Sequence, residues 1–170
     1  MRRTLCVAGL LLSAFILQAH AANTDMAGRY VYVPERSTAV DRAVEKAVTE
    51  VNFVLRPMAR SRLKKTNQPY QNITLTIGAD KLSITTDRRA AIVTPASGKP
   101  VKWRREDGEM LDVSMKWQGR TLQETFAAKD GKRVNVFELS PDGGELRMMV
   151  TVSSKRLPKP LVYTLVYQRQ

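Results

Sequence analysis

The chain has 170 residues, with 28 Lys+Arg against 16 Asp+Glu, a formal net charge of +12, one Cys and one His. Cys6 and His20 both fall in the N-terminal segment, so residues 22–170 carry neither. That excludes disulfides, Cys/His zinc sites, thiol nucleophiles and Ser-His-Asp chemistry from the bulk of the protein. What remains is long enough to bury a sizeable core without a covalent staple.

The N-terminus has the order of a secretory signal. Met1-Arg2-Arg3 is positive, Leu5 to Leu17 is apolar apart from Gly9 and Ser13, and Ala19-His20-Ala21 supplies small residues for cleavage. The expectation is a cleaved signal peptide over 1–21, a single domain over 22–170, and a periplasmic or secreted location. The apolar run is shorter than the ~20 residues of a bilayer span, and no later stretch qualifies, so no transmembrane segment is expected in the mature chain. Loss of Arg2 and Arg3 lowers the charge by two. The rest still carries basic clusters at 60–65, 88–89, 104–105 and 155–159. Such a field attracts polyanions. Aromatic residues do not interleave with these clusters, which argues against nucleic acid. Anionic lipid or an envelope protein is the polyanionic partner to expect, with Arg60, Arg62, Lys64 and Lys65 as its basic docking surface.

Residues 29–33 read as a first strand ending at Pro34. Thr38-x-x-Asp41 has the form of a capping box. Val40, Val44, Ala47, Val48, Val51, Val54, Leu55 and Met58 then recur at helical spacing. Pro57 interrupts this pattern, predicting helices over about 39–55 and 57–65, or one kinked helix. After Pro69 the period falls to two. Ile73, Leu75 and Ile77 form one strand and Leu82 and Ile84 belong to the next, with further strands at 90–94 and 101–104. Gly108, Gly119, Gly131 and Gly143 follow at near-equal intervals, three of them in Asp-Gly pairs, a strong hairpin signal. They separate strands at 109–117, 121–127, 133–139 and 145–153, and the last strand spans 161–168. The pattern predicts a mainly β, antiparallel up-and-down barrel of about ten strands, with a helical insertion (about 39–65) after the first.

These residues suggest a family. Gly28-Arg29-Tyr30 resembles the Gly-x-Trp opening of the calycin barrels, the lipocalins and fatty-acid-binding proteins. The segments Lys116–Leu122 and Leu139–Gly143 are similar to hairpins of bacterial secreted lipocalin-like proteins. The order strand, helices, nine strands looks like the fatty-acid-binding branch, whose helices cap the barrel mouth. The resemblance implies binding of a small apolar ligand inside the barrel. That branch holds a carboxylate with Arg-x-Tyr on the last strand, a motif that Tyr163–Arg169 lacks.

Strand parity nominates the lining. Leu111, Val113, Met115 and Trp117 share one face, as do Leu146, Met148, Val150 and Val152. Tyr30, Met115, Trp117, Phe126, Met148 and Tyr163 are the candidate ligand contacts. Glu124, in phase with Leu122 and Phe126, points inward as a polar anchor. A buried carboxylate must be paired or protonated, and such groups are often functional. Glu138 has an ambiguous direction, which leaves open a Glu124–Glu138 glycosidase pair. Ser61-x-x-Lys64 matches a penicillin-interacting motif without its companions. No catalytic residue, metal or cofactor is assigned. The expected function is non-enzymatic binding of a small hydrophobic or amphiphilic molecule, with an acidic head group drawn by the basic surface. A core filled by its own side chains is the other reading of the same pattern.

Overall fold

The computed structural model describes residues 25–170, and the expected signal peptide lies outside them. Ten strands form one antiparallel sheet: β1 (Gly28–Tyr32), β2 (Asn72–Ile77), β3 (Lys81–Thr86), β4 (Arg89–Pro95), β5 (Val101–Arg104), β6 (Met110–Gln118), β7 (Thr121–Ala128), β8 (Gly131–Leu139), β9 (Glu145–Ser154) and β10 (Leu161–Arg169). Their order is β4-β3-β2-β1-β10-β9-β8-β7-β6-β5, so the first strand pairs with the last, with Tyr30 opposite Arg169. The sheet curls into a nearly closed barrel. Closure is incomplete because β4 and β5 are not hydrogen-bonded to each other, and β4 meets β6 instead. Both edges are blunted against further pairing. β4 ends at Pro95, and β5 is only four residues long and carries Lys102 and Arg104.

Between β1 and β2 lie two helices, α1 (Val40–Thr49) and α2 (Arg56–Thr66). Val44, Ala47 and Val48 form the buried stripe of α1, and Leu63 anchors α2. Pro57 sits in the first turn of α2, where its missing N–H has no helical partner to lose. α1 is shorter than its apolar periodicity predicts. The Arg56 guanidinium donates to the carbonyls of Thr49 and Val51 at 2.6 and 2.8 Å and closes the C-terminus there. The Asn52 side chain accepts from the Val54 N–H and turns the chain at once. Nor does the expected capping box form. α1 starts after Ala39 without a side-chain cap. The Thr38 hydroxyl accepts from the Thr164 N–H, and that of Ser37 from the Val166 N–H. Residues 37 and 38 thus extend the barrel wall along β10 before the helix begins.

Inside the barrel the period-two positions pack against one another. Val113, Met115, Leu146, Met148, Val150 and Tyr167 are 0% exposed. They touch neither solvent nor any void of water size, so around them the barrel is packed by its own side chains.

Candidate functional site

The interior is not wholly apolar. Beneath the C-terminal end of α2, four strands contribute polar groups to one connected cluster. Glu124 on β7 is 0% exposed, and its Oε1 accepts from Nη2 of Arg89 on β4 at 2.8 Å. The Arg89 side chain is itself only 9% exposed. Glu124 Oε2 accepts from the amide of the fully buried Asn135 on β8, also at 2.8 Å. The Asn135 carbonyl oxygen accepts in turn from Nε of Arg133. Arg133 Nη1 donates to the backbone carbonyl of Thr66 and to the side-chain oxygen of Asn67, both at 3.2 Å. Asn67, which follows α2, also accepts from the Tyr163 hydroxyl on β10 at 3.1 Å. The cluster therefore ties the helices to β4, β7, β8 and β10.

The placement of Arg89 depends on a local irregularity. Ile84 pairs with Ile92, but Thr86 pairs with Arg89, so β4 holds one extra residue there, a β-bulge. The bulge shifts the alternation and turns Arg89 to the same side as Ile92. Its guanidinium lies between two rings, 4.9 Å from the centre of Phe126 and 5.5 Å from that of Tyr70. Burial pushes the hydroxyls of Tyr163 and Tyr167 well above the ordinary tyrosine value, so both stay protonated as donors. Two buried polar atoms on β4 and β10 have no protein partner, Nε of Arg89 and the hydroxyl of Tyr167.

Glu124, Phe126 and Tyr163 thus come together at the cluster, and Met115 stands opposite Glu124 in the β6–β7 register. Met148 is buried in the wall between Phe137 and Leu165. Tyr30 and Trp117 lie toward the other end. The Tyr30 hydroxyl donates to the Met26 carbonyl and accepts from Arg169, near the last residues of β10. Half-buried Trp117 adjoins the hairpin of Arg120, which lies beside Arg169. Glu138 is exposed and opposes Arg147 on the outer face, so it does not approach Glu124 and no carboxylate pair forms. Ser61 is exposed, while Lys64 is engaged by Asp41 and Glu45 at 3.5 and 3.3 Å. Arg60 also pairs with Glu45, at 2.9 Å, so α1 neutralises part of the basic surface. Among the described residues no group of Cys, His, Asp and Glu is arranged to hold a metal.

Parity alone missed Arg89, Arg133 and Asn135. Asn135 was discoverable, because it is in phase with Phe137. Arg89 was hidden by the bulge.

No protein-family model matches the chain, and neither does any curated protein. Solved structures do. A "REP1-NXSQ fatty acid transporter" aligns with a TM-score of 0.56 at 19% identity, covering 86% of this chain and 96% of that one. A Schistosoma mansoni fatty acid binding protein in complex with arachidonic acid aligns at 0.56 and 15% identity, covering 88% and 98%. Echinococcus granulosus fatty-acid-binding protein 1 aligns at 0.52 and 15%, covering 85% and 97%. The chain has the calycin barrel fold in its fatty-acid-binding-protein-like form.

Proposed function

We propose that this protein is an exported, non-enzymatic carrier that takes a small hydrophobic or amphiphilic molecule into its barrel, the polar end at the Arg89–Glu124–Asn135 cluster. The observation that carries this reading is a buried charged pair at the centre of a polar cluster in a mainly apolar interior. Removing two ions from water costs several kcal/mol each before pairing repays it, and an apolar pair of similar volume is often as stable or more so. A barrel whose interior served only to hold itself together gains nothing from these charges, whereas a binding site does. The neighbouring structures named for fatty acids support the same reading, as does the helical cover over the cluster. Because the side chains of this part of the interior pack against one another, a ligand is taken in as the helices and core side chains move aside.

Native mass spectrometry of the protein purified from its producing cell, followed by denaturation and analysis of what is released, tests this. A stoichiometric apolar compound is the expected result. A protein that is empty, and that also fails to take up added amphiphiles, overturns it.

A second reading, docking on an anionic lipid surface through the helices, is favoured by one feature. Phe53, Val54, Leu55 and Met58 are 75, 67, 48 and 60% exposed at the α1–α2 turn, next to Arg60, Arg62 and Lys65. Cosedimentation with phosphatidylglycerol vesicles that is lost in high salt supports it. Absence of cosedimentation at low salt removes it.

A further inference from the structure

The charge balance of the buried cluster bears on what kind of head group it accepts. The basic exterior suggests an acidic one, and an arginine inside a barrel suggests the same. Arg89, however, already has its anion. Glu124 Oε1 sits 2.8 Å from Arg89 Nη2, and Glu124 reaches no solvent. A ligand carboxylate brought to Arg89 stands beside a buried carboxylate of this chain, and like charges sharing one desolvated site oppose each other's ionisation.

The second cation is also engaged. Arg133 gives Nη1 to the Thr66 carbonyl at the C-terminal end of α2 and to Asn67, and gives Nε to Asn135. The exposed carbonyls of a helix C-terminus act as roughly half a negative charge. Both guanidiniums are therefore met from within the protein, one by a carboxylate and one by a helix end and two amide oxygens.

Two guanidiniums face one carboxylate, so the excess positive charge rests on Arg133, whose Nε and Nη1 are already taken; the groups without a partner are an N–H and a hydroxyl. The Nε–H of Arg89 is buried without an acceptor, and the hydroxyl of Tyr167, a residue 0% exposed, has no partner. Buried polar atoms are nearly always paired, and unpaired ones require an account. Arg89 stacks on the ring of Tyr70, beside the polar cluster. Each group is satisfied by an oxygen lone pair, and neither needs a charge.

We infer that the cluster selects an amphiphile with a neutral oxygen head group (an alcohol, ketone or ester) over a free carboxylate, and that Glu124 enforces this by occupying Arg89. Glu124 acts here as a specificity residue through Arg89, taking the place that an acidic head group would fill. The inference rests on the carrier reading, and the experiment separates the two.

Hexadecanol, methyl hexadecanoate and hexadecanoate share one chain length and differ at the head. Each is titrated into the full chain, followed by the fluorescence of Trp103 and Trp117. The wild-type protein should bind hexadecanol or the methyl ester at least about tenfold more tightly than hexadecanoate. Glu124→Gln keeps the shape and frees the charge of Arg89, so the hexadecanoate affinity should rise about tenfold relative to the alcohol. Tightest binding of hexadecanoate by the wild type overturns this inference while leaving the carrier reading intact. An unchanged ranking in a folded Glu124→Gln protein likewise overturns the role of Glu124. Failure of all three probes to bind overturns the carrier reading and this inference with it. The wild-type ranking decides between head groups even if the variant fails to fold.

Discussion

Glu124 and Arg89 illustrate how a single pair sets both a cost and an opportunity. Neither side chain can be removed alone without stranding the other in the interior. Arg89→Ala leaves Glu124 with only Asn135 as a hydrogen-bond donor and no cation, so the variant should lose about 3–5 kcal/mol. The double change Arg89→Met with Glu124→Leu removes both charges and restores apolar volume, and should lie close to the wild type or above it. Denaturant unfolding of both variants measures the difference. A single variant as stable as the wild type shows that the pair does not contribute to holding the native barrel. Half of this pair was legible in the sequence and half was not. Glu124 follows the alternation of Leu122 and Phe126 without interruption, so period two alone aims it inward. Arg89 follows a turn in a basic run, and simple alternation from Ile92 places it on the outer face. Only the pairing of Thr86 with Arg89 reverses that, and register between strands is not written in the sequence of one of them.

At the scale of elements, the strongest signals were those generated by backbone chemistry. Two of the three Asp-Gly pairs fell where positive φ is needed, Gly108 and Gly143 with φ of 87° and 73°, whereas Gly131 already belongs to β8 and lacks it. The helices were announced by their apolar stripe, yet the ends were misplaced because termini depend on distant partners. α1 stops where Arg56 reaches its carbonyls, and α2 ends where Arg133, more than sixty residues later in the chain, meets Thr66. Thr38 looked like a cap but serves β10 instead, since the N–H of Thr164 would otherwise lack an acceptor in the barrel wall. The last strand was apolar on both faces, and its two outward valines differ. Val166 is covered, in a stretch where Val33 and Ser37 bond its backbone, whereas Val162 is 59% exposed beside α1. The same pattern in sequence thus covers a packed position and an open one.

Taken as a whole, the barrel stores its binding site in closed form. Ten strands enclose an interior whose buried side chains pack against one another, and the helices are fastened to the polar cluster through Arg133 and Asn67. Binding must therefore wait for an opening of the molecule, and the kinetics should show it. Mixed with increasing hexadecanol, the protein should approach equilibrium at a rate that rises and then levels off at the rate of opening. Arg133 belongs to the closed form, because its bonds to α2 break when the helices lift. Hydrogen bonds to a charged group contribute about 1.5–3 kcal/mol, and each 1.36 kcal/mol removed from a barrier is tenfold in rate. Arg133→Met should therefore raise the plateau by about tenfold or more, while Met58→Ser at the exposed turn leaves it unchanged. Stopped-flow fluorescence from Trp103 and Trp117 measures both. A rate that rises linearly with hexadecanol and never levels off means that the ligand does not wait for the helices, and that it is admitted through another part of the wall. The unbonded seam between β4 and β5 is then the place to look, because there the barrel can part without breaking a strand pair.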